Sequence, residues 1–316
     1  MTDAAIASAG FHVGAGPESA RLASRRRREK IFIVFGILSV SVGLIALALL
    51  LWDLASVGLP RLSWDFLTSF PSRRASAAGI LSAWVGSLLV ILVTALIGVP
   101  LGVGAGIYLE EYAPRNWMTN IIEVNVSNLA AVPSIIYGLL ALGLFVYGIG
   151  TGRSIFTAGL TLALLILPIV IVATRESIRA VPHSIREAAY GVGATKGQVT
   201  RDHVLPAAIP GVLTGVIIGL SRALGETAPL ITIGALTFIA FLPAPPFTSE
   251  FPFINFNWMF DSFTVLPIQA FNWISRPGSD FHANAAAAGL VLLVLTLSLN
   301  AGAVFLRYRL RKKLQW

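Results

Sequence analysis

The sequence predicts an all-α, polytopic membrane protein with about six transmembrane helices, and three observations support this fold class. Of its 316 residues only 12% are charged, about half the share of roughly 25% found in soluble domains. Hydrophobic residues make up 56% of the chain. Apolar segments long enough to cross a membrane recur along the chain. Most basic residues lie at the termini and in every second segment that connects these apolar runs. A soluble globule of this size needs charge on its surface, so these features exclude that class.

Six runs are long enough to cross a bilayer, since a span takes about 20 residues at about 1.5 Å each. They are residues 31–52, 75–109, 124–152, 154–174, 204–249 and 284–306. The second run exceeds one span, so we expect an interfacial piece and then a span over residues 82–107. The fifth is also too long, and predicts one span followed by a turn or a re-entrant piece.

Prolines lie inside the third and fourth runs, at Pro133 and Pro168. We expect both helices to continue, because neighbouring groups in a membrane protein can satisfy the freed backbone. The first run has a second interpretation, a cleaved signal peptide. Such a peptide has an apolar region of about 7–15 residues, whereas residues 31–52 give 22 and lead into Asp53. A retained span is therefore favoured.

The runs also set the domain boundaries. Residues 1–30 are small, polar and finally basic, which predicts a disordered cytoplasmic tail. Residues 31–306 form one transmembrane domain, with an outer loop at about 250–282. Residues 307–316 form a basic cytoplasmic C-terminus.

The basic residues predict the orientation. Six spans put both termini on one side, and if that side is the cytoplasm, 17 basic residues lie inside and five outside, with Arg222 left over. This is the positive-inside asymmetry of membrane proteins. The net charge of +8 would also suit a nucleic-acid-binding protein, but such a surface would have no reason to sort its charges in this way.

Several kinds of site lack their sequence signature. The chain has no cysteine, its four histidines are far apart, and no common hydrolase or zinc motif occurs. The phosphate-binding Gly-x-x-x-x-Gly-Lys-Ser/Thr loop is also absent. We therefore expect no catalytic residue, no metal and no bound cofactor in this chain.

Two outer segments, residues 53–74 and 250–282, are rich in aromatic side chains. These rings either lie at the level of the lipid headgroups or form a docking face for an external protein. They are Trp64, Phe66, Phe70, Phe251, Phe253, Phe256, Trp258, Phe260 and Trp273.

Glycines recur at intervals of four residues in two places, which allows helix backbones to approach closely in lipid. The pattern predicts helix packing within or between subunits. The two series are Gly98, Gly102 and Gly106, and Gly211, Gly215 and Gly219.

The polar segment between the fourth and fifth runs carries two capping signals. Ser184 with Glu187, and Thr195 with Gln198, have the spacing of capping boxes at helix starts. We expect a first helix that breaks at Gly191 and Gly193, and a second that stops before Pro206. A plain solvated loop is the alternative.

This segment resembles the EAA loop of ABC importer permeases. The family pattern is Glu-Ala-Ala, three residues, Gly, nine residues, Ile, one residue and Leu-Pro. The chain has His203 at the Ile position and matches at Glu187, Ala188, Ala189, Gly193, Leu205 and Pro206. The resemblance implies a type I ABC importer permease fold, in which this loop (residues 182–206) inserts into a groove of an ATPase subunit.

Arg222 and Glu226 lie four residues apart in an apolar run, so they should share one helix face. A charge at bilayer depth costs about 2.5–3.5 kcal/mol on insertion scales, and such residues often mark a substrate path. The alternative is a salt bridge near the outer membrane boundary.

Residues 222–226 (RALGE) are similar to permeases for oxyanions, and residues 226–230 (ETAPL) resemble the PstA-type permeases of phosphate importers. Further similar segments are residues 128–138, 193–196 and 272–278. The resemblance implies that Arg222 meets the translocated anion, because a guanidinium offers several donors to a tetrahedral oxyanion. Glu226 is expected to hold Arg222 until the anion arrives and then to act in its release.

The resemblance also implies partners and a location. The chain would pair with a PstC-like permease in the bacterial inner membrane. Two PstB-like ATPase subunits, which use ATP and Mg²⁺, would dock on the pair, one on each EAA loop. A PstS-like protein would deliver phosphate from outside. Three alternatives stay open at this point: a sulfate or molybdate permease, a secondary transporter that needs no ATPase, and a membrane enzyme.

Overall fold

The computed structural model describes residues 17–246, 253 and 255–313, and every regular element in these residues is helical. Shorter 3-10 and π-helical turns connect or extend the helices. The α-helices are α1 (Pro17–Gly58), α2 (Trp64–Thr68), α3 (Leu81–Ile107), α4 (Trp117–Leu129), α5 (Ser134–Ala141), α6 (Ile155–Arg179), α7 (His183–Gly191), α8 (Lys196–Gln198), α9 (Leu205–Gly225), α10 (Ala228–Thr232), α11 (Leu266–Ile274) and α12 (Ser279–Lys313).

Five helical runs in the described part are long and apolar enough to cross a membrane, and the bent pair α4–α5 makes a sixth if it counts as one span. This confirms the all-α, polytopic prediction. The second span begins at Leu81, one residue before the expected start. The chain divides into two units, residues 1–53 and residues 54–316. Helix α1 begins at Pro17, so residues 17–30 are helical where a disordered tail was expected; residues 1–16 of that tail lie outside the described residues.

Helix α6 is the most buried of the spans, and the two glycine series explain why. A Cβ atom on Gly102 of α3 would lie 2.8 Å from the Cβ of Val170, and one on Gly215 of α9 would collide with Ala173. Both series therefore pack α3 and α9 closely against α6. The predicted close packing is confirmed, and it occurs within this subunit.

The expectation that a helix continues through Pro133 is wrong. Helix α4 ends at Leu129, α5 begins at Ser134, and the two are bent by 106°. Proline disfavours α-helical backbone in the residue before it and lacks the N–H that would continue the helix. Tyr137 holds the break, because its hydroxyl donates to the carbonyl of Leu129 at 2.8 Å. Pro168, by contrast, lies inside the continuous α6.

The second helix of the EAA loop does not stop before Pro206, as the sequence suggested. Helix α8 runs into a π-helical turn, Val199–Val204, and then directly into α9. Pro206 lies in the first turn of α9. Proline has no N–H to donate to the carbonyl four residues before it, and the wider π-helical turn that precedes α9 accommodates this missing bond. The capping box of Thr195 and Gln198 is confirmed.

Some of the outer aromatic residues belong to the core and lie neither at a headgroup level nor on a docking face. Phe66 of α2 and Trp273 of α11 are fully buried, with ring centroids 5.9 Å apart. Trp258 is also buried, whereas Trp64 and Phe256 are exposed. Phe251 lies outside the described residues.

Candidate functional site

The EAA loop forms a compact polar segment between α6 and α9. Helix α7 begins at His183 with Pro182 as its N-cap, and no side chain caps it. The predicted capping box of Ser184 and Glu187 is therefore wrong, because Ser184 already lies inside the first turn. The predicted break is confirmed: α7 ends at Gly191, and Gly193 has a positive φ of 86°, which glycine adopts without steric cost.

The six residues of the EAA pattern have different environments. Glu187, Ala188 and Gly193 are exposed, and the apolar side chain of Val192 beside them is 84% exposed. Ala189 is buried in the same core cluster as residues of α6 and of the π-helical turn Val199–Val204, so it packs within the chain. Leu205 and Pro206 are half-buried at the start of α9.

Arg222 and Glu226 form an ion pair at the end of α9. The Nε atom of Arg222 lies 3.3 Å from Oε1 of Glu226, and the side chains are 42% and 19% exposed. Helix α9 ends at Gly225, so Glu226 caps the helix from outside and does not share a face of it. The spacing predicted the contact correctly, while the helix end was missed.

The end of α9 that carries the pair lies beside α6, some distance from the residue at which α6 begins. Ala223 and Leu224 line a small cavity together with Leu162 of α6. Leu162 is seven residues beyond Ile155, where α6 begins, which corresponds to about 10 Å of helix. Helix α9 thus ends before it reaches the level at which α6 begins.

The broken helix lies beside this site. Helix α5 packs on α10, the short helix that follows Glu226; Gly138 permits this, since a Cβ there would collide with Pro229 and Thr232. The sequence singled out residues 128–138 through their resemblance, but gave Tyr137 and Gly138 no role.

A second group of charges lies at the opposite end of α6, and sequence reasoning missed it. Arg175 is buried, with Nη2 2.6 Å from Glu123 of α4 and Nε 3.4 Å from Glu110. Arg186 of α7 lies 2.8 Å from Glu111. The acidic partners are far from these arginines in the sequence. The one sequence feature that could have predicted the ion pairs is that residues of opposite charge lie near the ends of predicted helices.

Comparisons with known proteins agree with this architecture. The family model described as "Binding-protein-dependent transport system inner membrane component" matches residues 98–314. A second model, described as a domain of unknown function (DUF3333), matches residues 19–66.

Individual relatives cover most of the chain. The probable ABC transporter permease protein YqgI of Bacillus subtilis is 31% identical, over 85% of this chain and 91% of that protein. The phosphate transport system permease protein PstA of Yersinia pestis is 32% identical, over 89% of this chain and 91% of that protein.

A solved structure shows the same fold. It is a crystal structure of a bacterial alginate ABC transporter, one chain of which aligns with a TM-score of 0.61 at 15% identity over 90% of this chain and 96% of that one. The matched family model covers more than half of the residues and includes the EAA loop, Arg222 and Glu226. The chain belongs to the family of inner membrane components of binding-protein-dependent transport systems.

Proposed function

We propose that this chain is the permease subunit of an ATP-driven phosphate importer, and that it forms half of the translocation path. The observation that carries the proposal is the 32% identity to a phosphate transport system permease protein over 89% of this chain. The chain itself is not an enzyme in this proposal, because it transmits the work of a separate ATPase.

The geometry at the end of α9 supports an anionic substrate. Arg222 has a carboxylate partner at 3.3 Å, yet its side chain is 42% exposed, so the guanidinium can accept another partner. Planar guanidinium groups bind tetrahedral oxyanions through several donors. Glu226 neutralises Arg222 in the empty path, and phosphate replaces Glu226 when it arrives.

The break at Pro133 supports the same site. Transporters often place substrates where helices are discontinuous, since helix ends offer unpaired backbone groups. Helix α5 has no side chain on its N-cap, and it packs on α10, the short helix that follows Glu226. A helix N-terminus favours negative charge.

The exposed part of the EAA loop is the proposed contact with the ATPase. Glu187, Ala188, Gly193 and the exposed apolar side chain of Val192 form its surface. Small residues permit close docking, and a short helix tied to the core can carry a displacement to the spans. Ala189, Leu205 and Pro206 support this surface from behind.

The proposed partners are a PstC-like permease, two PstB-like ATPase subunits with ATP and Mg²⁺, and a PstS-like protein that delivers phosphate. Both termini lie in the cytoplasm of the cell, as the distribution of 17 basic residues inside and five outside indicates. Protease accessibility of a C-terminal tag in sealed, right-side-out vesicles tests this orientation: the tag should stay protected.

The test is purification of the intact complex, identification of its subunits and uptake of labelled phosphate in proteoliposomes. We expect an ATPase to co-purify, and uptake to need ATP and to resist excess sulfate. Competition by sulfate or molybdate would support another oxyanion. Uptake by this chain without any ATPase would contradict the proposal and support a secondary transporter.

A further inference from the structure

A chain of ion pairs joins four elements at the end of α6 where the EAA loop begins. Its first link is Arg186 of α7, which lies 2.8 Å from Glu111; the two side chains are only 13% and 9% exposed. Arg186 also donates to the carbonyls of Ile178 and Val181 at 3.0 and 2.8 Å. Helix α7 is thereby fixed both to the end of α6 and to the π-helical turn after α3, Tyr108–Tyr112.

The second link is Glu110, the neighbour of Glu111 in that turn. It accepts from Nη2 and Nε of Arg179 at 2.9 and 3.1 Å. It also lies 3.4 Å from Nε of Arg175, whose side chain is 9% exposed. The turn after α3 is therefore tied to α6 through one carboxylate.

The third link reaches the broken helix. Nη2 of Arg175 lies 2.6 Å from Oε1 of Glu123 in α4. Most of α4 is exposed, and its polar residues Thr119 and Asn125 bond to backbone carbonyls of their own segment. Among the ion pairs of the described residues, Arg175–Glu123 is the one that ties α4 to the rest of the subunit.

We infer that the Arg175–Glu123 pair makes α4 follow the movement of α6 and α7, and so carries displacement of the EAA loop to the broken helix beside Arg222. The inference rests on the proposed function, since it assigns these two residues as positioning residues for that site. Helix α4 leads into the break, Tyr137 of α5 bonds back to the carbonyl of Leu129 at the end of α4, and α5 packs on α10, the helix that follows Glu226. The side chain of Arg175 is 9% exposed and that of Glu123 is 33% exposed, and the charge-assisted hydrogen bond of 2.6 Å between them holds α4 beside α6.

The variant Glu123→Gln tests this in the complete complex reconstituted in proteoliposomes. It removes the link to α4 but leaves Glu110 as a partner of Arg175. We expect ATP hydrolysis to continue while the phosphate moved per ATP falls at least about fivefold, the lower range of coupling between distant sites. The matched control is Glu176→Gln, because Glu176 is 63% exposed and pairs at 3.4 Å with Arg179 on its own helix.

A distance measurement decides the point without reference to the substrate. The chain has no cysteine, so spin labels can be placed at Asn125→Cys on α4 and at Ala180→Cys, the exposed C-cap of α6. We expect the distance between the labels to be the same in nucleotide-free and ATP-bound complexes, and to change between these states when Glu123→Gln is added.

The outcomes are separable. The inference is overturned if the distance between the labels responds to ATP in the same way with and without Glu123→Gln. It is also overturned if Glu123→Gln leaves the ratio of phosphate moved to ATP hydrolysed unchanged. Loss of assembly in Glu123→Gln but not in Glu176→Gln would assign the pair to stability alone and would also overturn it. A complex that hydrolyses ATP without moving phosphate contradicts the proposed function, while the labels still decide this inference.

Discussion

Arg186 of α7 and Glu111 after α3 form a nearly buried ion pair, with 2.8 Å between Nη2 and Oε1. The pair fixes the EAA loop to a span that is 75 residues away in the sequence. The loop is therefore attached to the membrane helices at a point other than its two ends, as the proposed contact with an ATPase requires.

Replacing Arg186 with methionine should release α7. The change leaves the carboxylate of Glu111 buried without its partner, and breaking such a pair costs about 3–5 kcal/mol. Hydrogen exchange of the α7 amides should accelerate while the amides of α6 stay protected. Arg201→Met is the control, because Arg201 is 88% exposed and exposed ion pairs contribute roughly 0–1 kcal/mol. Equal exchange of α7 in both variants would refute this.

Reversal of charge at Glu187 should remove the ATPase. Glu187 is exposed on α7, so Glu187→Lys changes the docking surface without disturbing the core. Affinity purification through the permease should lose the ATPase while retaining the second permease. Asp65→Lys reverses an exposed charge on α2 and should retain both partners. An ATPase that stays bound to Glu187→Lys would show that the surface lies elsewhere.

The glycine series predicts a contrast between two neighbouring positions of α3. A Cβ on Gly102 would lie 2.8 Å from Val170, whereas one on Gly104 would meet nothing within 4 Å. Gly102→Val should destabilise the subunit by about 1–3 kcal/mol, as overpacking does. Thermal unfolding in detergent should show a lower midpoint for Gly102→Val than for Gly104→Val. Equal midpoints would contradict the packing of α3 on α6.

Glu226 should control release of the anion. In Glu226→Gln the amide no longer competes with phosphate for Arg222, so the anion should leave more slowly. Removing a charged hydrogen-bond partner worth roughly 1.5–3 kcal/mol should lower the maximal uptake rate about tenfold, while the complex still assembles. If Glu226→Gln takes up phosphate at the wild-type rate, the prediction is wrong and the ion pair serves only to cap α9.

The spans were predictable because their signal is local. Runs of about 20 apolar residues need no knowledge of their neighbours, and the glycine spacing indicated close packing before the partner helix was known. The contact between Arg222 and Glu226 was also expected from their spacing, although α9 ends before Glu226 and the two residues do not share a helix face.

The helix ends were less predictable, because tertiary contacts decide them. Pro133 and Pro168 look alike in the sequence, yet only Pro133 lies at a break, which Tyr137 stabilises through its bond to the carbonyl of Leu129. The π-helical turn before Pro206 has no sequence signature of its own. The ion pairs around Arg175 join residues more than 50 positions apart, and spacing alone cannot reveal such pairs.

The central claim is that Arg222 meets the translocated anion, and phosphate uptake by Arg222→Gln tests it most directly. Arg73→Gln, which removes an exposed arginine from an outer loop, serves as the control. Both complexes should assemble with their ATPase, but uptake should collapse only in Arg222→Gln. Normal phosphate uptake by an assembled Arg222→Gln complex would contradict the account.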